Sequence, residues 1–509
     1  MTQSLAEQAA VLETHIGLVL LYGDRAYKLK KPVRTAFCDF STPQRRRDAL
    51  ARELELNRRL APDVYLGVSE IGPLHEPGMP APAEAGEPLL VMRRMPAARR
   101  LSTMVRDGAP VGPALRRLAR RVAVFHAGAR RSAAISADGD APALMRRWSD
   151  NLAELEPFRD RLLDTGTLDE LARLVMRFLA ARGPLFARRV ADGHVVDGHG
   201  DLLADDIYCL DDGPRVLDCL EFDDRLRHVD VLDDVAFLAM DLERLGRADL
   251  ATLLLDAYAG FSADPAPSSL VHHYVAYRAV VRLKVACLRH DQGDPHAAEQ
   301  ARLLALVALR HLREGAVRLV LVGGLPGTGK STIAGGLADR FGATLLSTDA
   351  LRAQVPGDPT AADGPAPATG FRRGRYTPER VHRTYEALRE RAGLLLARGE
   401  SVVLDASWTD AAERDAAARL AEEHVADLVA LRCTAAPAVA AARIVDRVAG
   451  STPSEATPEI AAAMAAAEDP WPEAIPVDTE LPVERSLEQA GSAWHRAGRA
   501  AVAVARAAG

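Results

Sequence analysis

The stretch from Gly324 to Ser331 reads GLPGTGKS and combines three glycines with a lysine and two hydroxyls. Glycines at that spacing let successive backbone N–H groups converge on one anion, and a helix starting there adds the partial positive charge of its N-terminus. The match to G-x-x-x-x-G-K-[ST] is complete, and the chemistry it implies is the cradling of nucleotide phosphates. Gly324, Gly327, Thr328, Gly329, Lys330, Ser331 and Thr332 are the candidate nucleotide-binding residues, with Lys330 reaching the β- and γ-phosphates and Ser331 a ligand of Mg²⁺. The apolar run Leu319 to Val322 must be a buried strand feeding this loop, and the residues from Thr332 onward a helix leaving it.

A second concentration of chemistry lies at His199-Gly200-Asp201, followed by Asp205 and Asp206, and then by Asp218, Glu221, Asp223 and Asp224 on a strand expected from Arg215. Together with Asp197 these carboxylates crowd between apolar runs, which is costly unless cations neutralise them. Hard oxygen ligands on a loop and an adjacent strand suit Mg²⁺ held together with substrate phosphates.

Lysine is rare. The only lysines are Lys28, Lys30, Lys31, Lys284 and Lys330, against 64 basic residues in all. Arginine does not replace lysine where a compact point charge must meet phosphate, so each remaining lysine is a site candidate. Residues 17–32 read as two strands around a turn at Tyr22-Gly23-Asp24, a hairpin that puts Lys28 and Lys30 on one face. Two such lysines repel unless an anion lies between them. Glu53, on a charged helix expected over 43–60, is either that partner or a solvated helix acid.

Beyond the glycine loop, a short strand from Thr344 is expected to end at Asp349, with Arg352 close behind, and a buried strand from Ser401 ends at Asp405, a second carboxylate placed to support Mg²⁺. Asp349 is either a base acting on the acceptor or a helix cap. A strand at 428–433 precedes a helix carrying Arg443 and Arg447 on one face. This alternation of strands and helices specifies a parallel sheet. Segments 73–87 and 356–370 are rich in Pro, Ala and Gly and read as exposed insertions.

At 509 residues the chain invites two or three domains. Its net charge of −6 gives no general attraction to nucleic acid or anionic membrane. No run approaches the ~20 apolar residues of a membrane span, and a soluble, cytoplasmic protein is expected. Cys38, Cys209, Cys219, Cys287 and Cys433 form no C-x-x-C pair, and reduced, buried thiols are expected.

Residues from about 15 to 310 resemble the aminoglycoside phosphotransferase family of the protein-kinase-like fold, through His199-Gly200-Asp201, Asp206 and Asp218. The resemblance implies Asp201 as the base that takes the substrate hydroxyl's proton, Asp206 and Asp218 on metal, and Lys28 with Glu53 as the phosphate lysine and its partner. It departs at Asp206, where the family carries Asn, and no glycine-rich loop precedes Lys28. Residues 317 to about 480 resemble small P-loop kinases, with Asp349 and Arg352 matching their D-x-x-R and Arg443 and Arg447 their lid arginines. As a pair, the halves resemble a bacterial family that fuses a phosphotransferase-like domain to a predicted kinase.

The reading is therefore an α+β protein-kinase-like domain over 1–314, followed by an α/β P-loop NTPase domain with a parallel sheet over 315–509. ATP and Mg²⁺ are the expected cofactors and a small-molecule hydroxyl the expected acceptor. Catalysis in the second domain would rest on Lys330, Asp349, Arg352, Arg443 and Arg447. One alternative is a polynucleotide 5′-hydroxyl kinase, suggested by Arg372, Arg373, Arg375, Arg380 and Arg383. The other is a regulatory protein whose N-terminal half binds nucleotide and gates the C-terminal kinase.

Overall fold

A computed structural model of the chain describes residues 10–13, 16–34, 39–72, 86–352, 377–448 and 457–507, side chains excepted at 447–448 and 498–507. Cys38, the insertion at 356–370, most of that at 73–87, and Arg372, Arg373 and Arg375 lie outside the described residues. The chain divides into two compact units. The first comprises Met1–Glu156, Ala187–Pro265 and Tyr274–Ala308, and the second Pro157–Phe186, Ala266–His273 and Leu309–Gly509.

In the first unit, strands β1 (Ala10–Glu13), β2 (Gly17–Tyr22), β3 (Arg25–Lys30), β4 (Tyr65–Ile71) and β5 (Glu87–Arg93) form one antiparallel sheet in the order β1-β2-β3-β5-β4. The two-residue turn between β2 and β3 starts at Gly23, whose φ of +58° suits a glycine at the first central position. The helix Pro43–Asn57 begins where Thr42 accepts a hydrogen bond from Arg45 N and proline occupies the first turn. Its apolar side, led by Leu50, packs with Ala26, Val64, Tyr65, Leu90 and Met92. That packing fixes the helix against the sheet and so sets Glu53 over the two lysines.

The acidic segment follows on β6 (Val195–Asp197), β7 (Ile207–Leu210), β8 (Gly213–Val216) and β9 (His228–Asp230), paired as β6 with β9 and β7 with β8. The strand expected from Arg215 stops at Val216. Asp218 follows in a left-handed conformation, φ +63°, which ends the ladder and turns its side chain off the strand's alternation. Behind this segment runs the helix Val231–Arg244, capped by Asp230 and buried along most of its length.

In the second unit, β10 (Arg318–Gly323), β11 (Thr344–Ser347), β12 (Val402–Asp405), β13 (Asp427–Thr434) and β14 (Ile475–Asp478) form a fully parallel sheet in the order β11-β12-β10-β13-β14. Strands β10 and β12 are buried at every residue, as central parallel strands must be. Their side chains pack with Ile333 and Leu337 of the helix Lys330–Phe341 and with Trp494. Strand β11 ends at Ser347, short of the expected Asp349, which belongs to a following helix, Thr348–Arg352. Among the described residues no helix is long and apolar enough to cross a membrane.

Candidate functional site

In the second unit the glycine loop leaves the carboxyl end of β10 and runs into the helix Lys330–Phe341, the edge at which ligands of open parallel sheets bind. Gly324 has φ +137°, and a Cβ there would lie 2.7 Å from the Cys433 carbonyl oxygen, so only glycine admits this path. The side chain of Thr328 donates to Leu325 O at 2.7 Å, and its carbonyl accepts from Thr479 Oγ at 2.8 Å, closing the loop on itself and on the segment after β14. Ser331 and Thr332 are exposed on the first turn of the helix.

Asp405, at the end of β12, is 6% exposed. Burial pushes its carboxyl above the usual range, opposed by the Lys330 charge and by a hydrogen bond from Ser331. A buried acid and a hydroxyl side by side at a phosphate loop form a hard-oxygen donor set that fits Mg²⁺. Lys330, Asp405, Asp349 and Arg352 line one cavity of about 730 Å³. Arg352 Nη1 donates to Asp349 Oδ1 at 2.9 Å. Asp349 is not the helix cap: its own N–H donates to Ser347 Oγ at 3.2 Å, so Ser347 fills that position.

The far wall of the cavity was not singled out in the sequence. His382, Tyr385 and Arg389 come from the helix Pro378–Ala397, and Glu413 from the helix Ala411–Glu423. Glu413 accepts from Arg389 and bonds His382 Nδ1 at 2.7 Å, so a buried carboxylate anchors two cationic or polar heads at the cavity edge. The spacing i, i+3, i+7 of His382, Tyr385 and Arg389 marks one helix face and is the signal that would have found them. Arg380 and Arg383 do not line the cavity. Arg443 does not line it either. It donates to the Oγ and the carbonyl of Thr479, at 3.2 and 2.7 Å, and so braces the segment that holds the glycine loop. Arg447 lies in the last turn of the helix Pro437–Val448, its side chain outside the described residues.

In the first unit Glu53 is fully buried and stands between the two lysines, 2.7 Å from Lys28 Nζ and 2.8 Å from Lys30 Nζ. Burial opposes its charge, but the two ammonium groups hold its carboxyl below the usual range. Lys28 also donates to Asp218 at 2.8 Å, and Lys30 to Glu221 at 2.5 Å. Lys28 holds the Asp218 carboxyl down. Asp206 is pushed well up by burial and by Asp218, Asp201 and Asp205. Asp201 is raised to about 6 by burial and Asp218, with Arg282 pulling the other way.

The eight acids thus separate by partner. Asp197 is bound by Arg130 and Arg227, Asp223 by Arg225, and Asp224 by Arg227 and Arg52, while Asp205 accepts from Ser102. Asp201 and Asp206 are left beside Asp218, whose charge is met by Lys28, and mutual repulsion of this kind is relieved by a divalent cation. The loop that carries them is fixed from the helix Val231–Arg244: Asp234 accepts from His199 N at 2.7 Å and Gly200 N at 2.9 Å, and Asp241 from Ala204 N at 2.9 Å. Arg278 is committed to Asp233 through two hydrogen bonds of 2.7 and 2.9 Å and is therefore a structural base rather than a free anion receptor.

Residues 319–470 match a family model described as an AAA domain. Among solved structures, a gluconokinase from Sinorhizobium meliloti is 20% identical and covers 37% of this chain and 96% of its own, with a TM-score of 0.28. A choline/ethanolamine kinase family protein from Mesorhizobium loti is 19% identical over 60% of this chain and 90% of its own, with a TM-score of 0.38. The first unit joins its antiparallel sheet to helices in an α+β arrangement, and the second carries the matched domain on a parallel α/β sheet. The uncharacterized protein Rv2004c of Mycobacterium tuberculosis is 45% identical over 493 residues, 96% of this chain and 95% of that protein. At that identity over nearly the whole of both chains, this chain belongs to the family of Rv2004c.

Proposed function

We propose that the protein is an ATP-dependent phosphotransferase whose second unit transfers the γ-phosphoryl group of ATP to a hydroxyl of a small molecule. The observation that carries this reading is the single cavity that joins Lys330 of the phosphate loop and Asp405 at the end of β12 to Asp349 and Arg352. In it, Asp349 takes the proton of the acceptor hydroxyl as the acceptor oxygen bonds to phosphorus, and the bond from the γ-phosphorus to the β–γ bridging oxygen breaks to release ADP. Lys330 and the loop N–H groups hold the phosphates, and Arg352 orients Asp349 and meets the incoming charge. Magnesium bound by Ser331 and Asp405 would neutralise phosphate oxygens.

The first unit is read as a second nucleotide site, with Lys28 and Glu53 as its phosphate lysine and partner, Asp206 and Asp218 as metal ligands and Asp201 as base; the working boundary between the domains is 314/315. An acceptor of small size is favoured over a polynucleotide end because Arg380 and Arg383 are off the cavity and the net charge is −6. The test is incubation with γ-labelled ATP, a metabolite extract and 5′-hydroxyl oligonucleotides. A labelled small molecule is expected, lost in Lys330→Ala. Label found only on oligonucleotides contradicts the small-molecule reading.

A further inference from the structure

In the second unit the start of the helix Ser268–Asp291 meets the end of the helix Ala297–Glu314, and three metal-ligating side chains converge there. His311 and Glu314 are at i and i+3 on one helix face, and His272 faces them from the other helix. Nδ1 of His272 lies 2.8 Å from Nδ1 of His311 and 3.8 Å from Oε2 of Glu314. All three candidate ligand atoms fall within 4.8 Å of one another. Gly315 makes the approach possible: a Cβ at that position would sit 2.7 Å from the Cβ of His272. None of the three residues lines the cavity beside Lys330.

We propose that His272, His311 and Glu314 form a binding site for a divalent transition ion of the zinc class, with water completing a four-coordinate shell. Two imidazoles and one carboxylate are a donor set suited to zinc and its neighbours and poorly suited to magnesium. Ligands about 2.0–2.1 Å from a tetrahedral zinc stand about 3.3 Å apart. The two Nδ1 atoms therefore separate by about half an ångström, and the carboxylate closes by a similar amount on His272 and by up to about 1.5 Å on His311, within the reach of side-chain rotation. At 2.8 Å one Nδ1 carries a proton and the other accepts it. On binding, the ion takes the place of that proton, and each ring stays neutral with its hydrogen on Nε2. Arg310 Nη2 lies 3.4 Å from His311 Nε2, and because the side chain is exposed it can rotate away when that nitrogen takes the ring hydrogen.

The test uses the full chain, stripped with a chelator and held in saturating Mg²⁺ so that the phosphate sites do not compete. Zn²⁺ is titrated against a chromophoric indicator, and Co²⁺ is added separately to read the visible absorption of a tetrahedral centre. One tight equivalent is expected, weakened more than about 10-fold in His311→Gln and in Glu314→Gln, with the cobalt absorption lost. Glu314 is exposed, so its replacement leaves folding intact and keeps the test valid if the histidine variant is unstable. Affinity that is the same in wild type and both variants, or a wild type that retains no equivalent, overturns the proposal and leaves the three residues as a helix-to-helix contact.

Discussion

Glu53 shows how much one side chain decides. It is fully buried with two ammonium groups on it, so removing its charge leaves both lysines uncompensated in a poorly solvated site. Glu53→Gln is expected to destabilise the first unit by about 3–5 kcal/mol, the scale for breaking one side of a buried ion pair. Equilibrium denaturation measures it, and a change under about 1 kcal/mol would mean that the lysines find other partners. Alternation along β3 put the lysines on one face and demanded an anion, but not which acid supplied it, because the pairing depends on a helix register that only packing fixes. Asp349 is the complementary case. With Ser347 acting as cap, Asp349→Asn loses the charge and leaves the helix start untouched. Turnover is expected to fall by ~10²-fold or more, with ATP affinity and thermal midpoint near wild type. A fall of only a few-fold would remove Asp349 from the proton transfer.

At the scale of elements, the helix Val231–Arg244 holds the acidic loop through Asp234 and Asp241. Asp234 is fully buried. Burial works against its charge, but His126 and the backbone N–H of His199 hold its carboxyl far below the usual range. A depressed folded value means that the unfolded chain takes up the proton first. The stability Asp234 contributes is therefore present above the ordinary carboxylate pKa of about 4 and is lost as pH falls through the folded value. The gap in stability between wild type and Asp234→Asn should be widest near neutrality and narrow below about pH 4. A gap independent of pH would assign the effect to packing alone.

Neither this helix nor its role was singled out in the sequence, and its acids act on backbone N–H groups some 35 residues away in sequence. The hairpin at β2 and β3, the strands β10, β12 and β13 and the glycine loop were legible, since local turn chemistry and apolar runs specify them. The ends of β8 and β11 were not. At Asp218 a left-handed residue breaks the strand, and at Ser347 a side-chain cap starts a helix, and neither leaves a mark in the hydrophobic pattern. The His382, Arg389 and Glu413 wall escaped for another reason: it is assembled by two helices whose contact is tertiary.

At the scale of the whole molecule, the chain carries two sets of a lysine beside carboxylates, one in each unit. Each set has its own lysine, so nucleotide binding at one should survive loss of the other. Lys330→Ala is expected to retain one equivalent of Mg·ATP by equilibrium dialysis, and complete loss of binding would remove the first unit from the reading. The central claim is that the second unit performs the transfer. Its most direct test is a single turnover with γ-labelled ATP and the identified acceptor, comparing wild type, Lys330→Ala and Asp201→Asn. The account predicts labelled product from wild type and Asp201→Asn and none from Lys330→Ala; label that persists in Lys330→Ala and disappears in Asp201→Asn would contradict it and move the chemistry to the first unit.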